Sequence, residues 1–103
     1  MKTVREIIEF EWDKGNIEKN WTKHSITDKE AEEIFFDNKR FIFKDKVHSQ
    51  KEERFRILGK TDSKKLLFIV FTKRGKKIRI ISARKTNRKE ALIYEKKINT
   101  TKV

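Results

Sequence analysis

Residues 66–71 read Leu66-Leu67-Phe68-Ile69-Val70-Phe71, an uninterrupted apolar run in a chain of which 43% is charged. A run this short, rich in β-branched and aromatic side chains, predicts a strand that is apolar on both faces. The fold must therefore set this strand inside a sheet and cover both sides of it. A length of 103 residues leaves room for one such domain. It is expected over residues 1–98, with 99–103 as a frayed tail. The chain has no Pro and no Cys, and its eight Phe and two Trp cluster with Ile and Leu. That clustering separates the composition from that of a disordered polyelectrolyte.

The neighbouring segments supply the cover. Ile8, Phe10 and Trp12 alternate as one face of a short strand. Asp13 is placed to cap a helix carrying Ile17, Trp21 and His24, and Thr27 with Glu30 has the spacing of a capping box opening a second helix. These two helices, joined by a very short link, are expected to form a hairpin. Strands are predicted at 41–44, 53–58 and 77–83, the last following a turn at Arg74-Gly75-Lys76. A final helix, capped by Thr86 or Asn87, is expected through about residue 97 with Ala91, Tyr94 and Ile98 inward. The sum is an α+β domain: a short N-terminal strand, a helical hairpin, a four-stranded antiparallel meander and a C-terminal helix.

Charge is divided unevenly along the chain. Residues 1–37 hold six Lys/Arg against ten Asp/Glu, whereas residues 38–103 hold 22 against six, a net +16. So much positive charge on strands and turns points to a polyanion, and to nucleic acid before a membrane surface. No apolar stretch approaches the roughly 18 residues needed to span a bilayer. The first dozen residues are too acidic for a signal peptide, so a cytoplasmic location is expected. Gly15, Gly59 and Gly75 stand alone, without a glycine-rich phosphate loop, and no Cys or paired His has ligand spacing. No cofactor and no metal site are expected.

The candidate chemistry rests on arginines and two histidines. Alternation puts Arg54 and Arg56 on one face of their strand, and Arg79 on one face of the last strand. Arg84 is expected just past that strand's end. Guanidinium groups suit phosphate because they bind it two-pronged and keep their proton. The plainer reading pairs each Arg with Glu52, Glu53, Glu90 or Glu95; it is preferred for Arg56 and Arg79, and function is preferred for Arg84. His24 either caps a helix end beside Trp21 or transfers protons, and His48 lies in a polar segment beside Ser49 and Glu52. Tyr94 and the Phe and Trp residues are read as core.

The order Phe10-Glu11-Trp12-Asp13, Asn20, Lys23-His24, His48-Ser49, Glu52-Glu53-Arg54, Arg74-Gly75, Arg79-Ile80-Ile81-Ser82-Ala83-Arg84, Glu90 and Tyr94-Glu95 resembles the BrnT family of type II toxins, over roughly residues 8–97. The resemblance implies a RelE-like fold and a ribonuclease that blocks translation. It also implies neutralisation by a BrnA-like ribbon-helix-helix antitoxin in a hetero-oligomer, with operator DNA bound only through that antitoxin. Lys23, His24, Arg54 and Arg84 are the site residues carried over, with His48 or Glu53 as further proton-transfer candidates and Arg56, Arg74, Arg79 and Arg88 as RNA contacts. Two departures stand in connections, Ser25 where Gly is usual and Asn38 where Pro is frequent. The alternative is a basic domain that binds nucleic acid, or docks an antitoxin, without cutting.

Overall fold

The computed structural model describes residues 9–12, 19, 24–45 and 52–101. Most of the expected first helix, with Lys23, and the segment holding His48 lie outside them. The elements are β1 (Glu9–Trp12), α1 (Asp28–Glu33) running into a 3-10 turn (Ile34–Phe36), β2 (Phe41–Asp45), β3 (Arg54–Lys60), β4 (Leu66–Arg74), β5 (Lys77–Lys85) and α2 (Arg88–Thr101). The strands form one sheet in the order β1-β5-β4-β3-β2. The apolar run thus begins the middle strand. β2 to β5 are an antiparallel meander. β1 joins the outer side of β5 in parallel, so the sheet is mixed.

Both faces of β4 are covered, as its composition demands. On one side Leu67, Ile69 and Phe71 pack with Ile57, Ile80 and Ala83 beneath Ile26, Ala31, Ile34 and Phe35. Phe35 meets Phe71 edge-on with ring centroids 5.0 Å apart. On the other side Phe68 and Leu58 pack under Tyr94 of α2. Tyr94 is 1% exposed, so its reading as core holds. The side chain of Thr27 accepts from the Glu30 amide while Glu30 receives the Thr27 amide, the complete capping box expected for α1. Gly59 passes directly under the 3-10 turn, where an added Cβ would lie 2.9 Å from both Cβ and O of Ile34. Only a residue without a side chain lets β3 approach so closely.

Two boundaries and one backbone conformation bear on the site. β5 continues through Lys85, which puts Arg84 inside the strand rather than after it. α2 runs to Thr101, beyond its expected end near residue 97. Ser25 has φ 54°, the left-handed conformation that favours glycine. The departure at this position is therefore a residue carrying a conformational cost. Ser25→Gly is expected to raise stability by about 0.5–1 kcal/mol, read as a higher midpoint in denaturant; an unchanged midpoint would mean the backbone there is unstrained.

Candidate active site

Cross-strand register shows which side chains share a face. Arg54 pairs with Thr72 and Arg56 with Val70, and Thr72 and Val70 pair in turn with Arg79 and Ser82. Simple alternation along β5 would then send Arg84 to the opposite face from Arg79. It does not, because the ladder slips between Val70 and Phe71, leaving Ile81 without a partner. This β-bulge resets the alternation. Ala83 turns toward the α1 side, and Arg84 lands opposite Phe68. Arg54, Arg56, Arg79 and Arg84 therefore lie on one face of the sheet.

Within that face the arginines are not equidistant. Arg54 and Arg84 stand two strands and four residues apart, about 10 Å across the sheet and about 13 Å along it. Arg56 is the one that shares an aromatic ring with Arg84. The guanidinium of Arg84 lies over the Phe68 ring at 4.2 Å and that of Arg56 at 5.7 Å, so the same ring supports both. Arg56 Nε is 3.2 Å from Asp45 Oδ2, a carboxylate on a residue only 4% exposed. The contact is close enough for attraction but poorly aligned for a hydrogen bond, since this buried N–H has no hydrogen-bond acceptor among the described residues. Reading Arg56 as ion-paired is supported, with Asp45 as a partner the sequence did not suggest.

Arg84, for which function is the preferred reading, has a carboxylate partner as well. It is paired, and two-pronged: Nη1 donates to Glu90 Oε1 at 2.8 Å and Nη2 to Oε2 at 2.7 Å. Glu90 is also the capping-box residue of α2. Its amide donates to Asn87 Oδ1 at 2.8 Å, and its Oε1 accepts from the Asn87 amide at 3.0 Å. Burial pushes the Glu90 carboxyl up, but the Arg84 guanidinium and the Asn87 amide more than reverse this, so it sits below the usual range. Glu90 thus joins the start of α2 to the arginine face. Its spacing from Asn87 was the available sequence signal, while the sequence offered Glu90 only as one of four possible arginine partners.

The other candidates are more scattered. Glu53 reaches Lys44 at 3.4 Å, and Lys44 pairs with Phe55, on the opposite face from Arg54 and Arg56. The Glu53 carbonyl, by contrast, accepts from the buried Thr72 hydroxyl at 2.7 Å, which closes the start of β3 against β4. Arg74 is exposed and 3.8 Å from Glu52. Arg88 is exposed at the start of α2, and His24 is half-buried in helical conformation. Lys23 and His48 lie outside the described residues.

A second polar centre sits at another corner of the sheet. Tyr94 Oη donates to Asp37 Oδ2 at 2.5 Å, and the same carboxylate accepts from the amides of Lys60 (2.9 Å) and Lys39 (3.0 Å). Around it opens a cleft of about 390 Å³ lined in part by Glu33, Lys60, Asp62 and Lys64, and by none of the sheet-face arginines. Burial pushes Asp37 up, yet the Tyr94 hydroxyl and the two amides hold it below the ordinary carboxyl value; burial and Asp37 push Tyr94 up. Because Asp37 and Glu90 both hold protons less tightly when folded, their stabilisation is complete above the unfolded value near pH ~4 and is lost as pH falls through the folded values. Glu32, raised mainly by burial, works the other way and offsets part of this. Melting temperature is expected to be flat from pH 7 to 5 and to drop below about pH 4; a flat profile down to pH 3 would contradict these assignments.

A family model described as the ribonuclease toxin, BrnT, of type II toxin–antitoxin systems matches residues 12–90. This chain belongs to that family. The BrnT match takes in Arg54, Arg56, Arg79 and Arg84 and ends on Glu90. The crystal structure of the Brucella abortus ribonuclease toxin BrnT, at 1.1 Å, is similar in fold, with a TM-score of 0.61 and 18% identity over 79% of this chain and 99% of that one. No curated protein sequence matches. A type II BrnT toxin has an antitoxin as its partner. Among the described residues no helix is long and apolar enough to cross a membrane, and no group of three or more His, Asp or Glu is placed to hold a metal ion.

Proposed function

We propose that this BrnT-family chain is an endoribonuclease that cuts RNA without a metal, by attack of a 2′-hydroxyl on the adjacent phosphate, and that the cuts inhibit translation. The observation that carries the proposal is the set of four arginines gathered on one sheet face, with Arg56 and Arg84 over a common ring. The reaction needs cations for charge developing on the phosphorane, a base for the hydroxyl and an acid for the departing 5′-oxygen. Arg84 and Arg56 hold the reacting phosphate. Arg54 and Arg79, with Arg74 and Arg88 farther out, hold the flanking phosphates. Proton transfer falls to His24 or His48, with Lys23 assisting. Glu53 is the less favoured base because its carboxylate is engaged with Lys44. The RelE-like architecture that the family resemblance implies accords with an RNA-cutting surface built on an antiparallel meander. A BrnA-like ribbon-helix-helix antitoxin neutralises the activity by covering this face in a cytoplasmic hetero-oligomer, and operator DNA is reached only through it.

The test is incubation of the purified chain with RNA in excess EDTA. The proposal predicts cleavage products bearing 2′,3′-cyclic phosphate ends, and protection of any bond whose 2′-hydroxyl is replaced by hydrogen. A basic domain that binds without cutting would shift the RNA in a gel and leave it whole. Co-expression with the adjacent reading frame should yield a stable complex that no longer cuts; failure to form one would remove the antitoxin part of the proposal.

A further inference from the structure

A guanidinium offers five N–H donors arranged along two edges. In Arg84 the end-on edge is filled by the Glu90 carboxylate, at 2.8 and 2.7 Å, and a further Nη1–H goes to the Lys85 carbonyl at 3.2 Å. Nε–H and the outer N–H of Nη2 are left over. They point in parallel along the side edge, and neither has a partner among the described residues. Phe68 lies against one face of the group at 4.2 Å, so the plane of the fork is fixed as well as its direction. The Glu90 carboxylate is in turn held by the Asn87 backbone amide and is the more buried partner, its side chain 14% exposed against 37% for Arg84. The unused edge is therefore held in place before any ligand arrives.

We infer that Glu90 is a positioning residue which aims the Nε/Nη2 edge of Arg84 to receive two oxygens of one RNA phosphate. The inference rests on the ribonuclease reading and adds which edge of which arginine takes the phosphate, and what orients it. A free arginine samples many rotamers, and ordering it during the reaction raises the barrier. Glu90 removes that cost before RNA binds. Because the carboxylate also cancels part of the Arg84 charge, its contribution falls on the rate of the chemical step and not on affinity for RNA.

Glu90→Gln keeps a side chain able to complete the α2 cap but loses the charged two-pronged grip. Under single-turnover conditions it should cut about tenfold more slowly at saturation, with half-saturating RNA changed by less than twofold. Asn87→Ala, which removes the Oδ1 acceptor of the Glu90 amide but keeps the Asn87 backbone amide on the Glu90 carboxylate and that carboxylate on Arg84, should cut at the parent rate. In an Arg84→Lys background, Glu90→Gln should add no further loss. A readout independent of cleavage is the Arg84 Nε–H resonance. In the parent it should be sharp and should shift when an RNA with 2′-hydrogen at the scissile position is added; in Glu90→Gln it should be broadened. A parent-like rate in Glu90→Gln, an equal loss in Asn87→Ala, additive losses with Arg84→Lys, or an Nε–H unmoved by RNA would each overturn the inference. A parent whose Nε–H shifts but which never cuts would overturn the ribonuclease reading instead and leave the phosphate edge standing.

Discussion

Replacing Arg84 with alanine is expected to slow RNA cleavage about a hundredfold or more while leaving a folded protein. The magnitude follows from what one positioned donor contributes to a developing oxyanion, roughly 3–4 kcal/mol in the transition state. Two features of this arginine place it at the upper end of that range. It is pre-aimed by Glu90 and stacked on Phe68, so little ordering remains to be done in the reaction. It also stands beside Arg56, so the phosphate meets two cations and not one. The loss of stability should be modest, about 1 kcal/mol, because Glu90 keeps its hydrogen bonds at the start of α2 and the pair is partly solvated. Single-turnover cleavage and a thermal melt of the same preparation separate the two effects. Parent-like cleavage by Arg84→Ala would remove it from the reacting phosphate.

The second large effect concerns stability. Asp37→Ala should destabilise the fold by about 3 kcal/mol, lowering the melting temperature by roughly 12 °C or more for a domain of this size. One substitution strands the hydroxyl of Tyr94, a residue 1% exposed, and takes the shared acceptor from the amides of Lys60 and Lys39, two exposed residues that it ties to α2. Leaving donors without an acceptor costs far more than deleting a matched pair. Tyr94→Phe is the informative contrast: it removes the donor, leaves Asp37 with its two amides, and should cost only about 1 kcal/mol. Tyr94 packs on Phe68, but its hydroxyl meets Asp37 at another corner of the sheet, away from the Arg84–Glu90 pair, so at temperatures where both variants are folded their cleavage rates should match the parent. Equal losses for the two substitutions would mean that the hydroxyl–carboxylate bond carries the whole effect and the two amides none; no loss in Tyr94→Phe would mean that Tyr94 acts through packing alone.

How much of this could be read from residues alone depends on the range of the interactions. The apolar run of β4 announced a covered central strand because six side chains cannot all face water. The capping box at Thr27 and Glu30 was legible because its partners are three residues apart. Tyr94 as core followed from helical spacing. The location of β1 was not legible: a short alternating strand carries no mark of the edge it will join or of its direction. The common face of Arg79 and Arg84 was hidden for a related reason. Ile78, Ile80 and Ile81 fit plain alternation as well as a bulge, and only pairing with Val70 and Phe71 decides that Ile81 is the extra residue. The Arg84–Glu90 pair was legible only as one of several possible pairings, because nothing in the residues shows that β5 continues through Arg84 and so brings the start of α2 back against it.

The central claim is that RNA lies across the sheet face bearing Arg54, Arg56, Arg79 and Arg84, and it is tested most directly by mapping the contact on the protein. Backbone and arginine side-chain resonances would be followed while an RNA made uncleavable by 2′-hydrogen substitution is added. The account predicts shifts concentrated at these four arginines and at Phe68, Val70 and Ser82 between them. Shifts confined to α1 and its 3-10 turn, with the arginines unmoved, would contradict it.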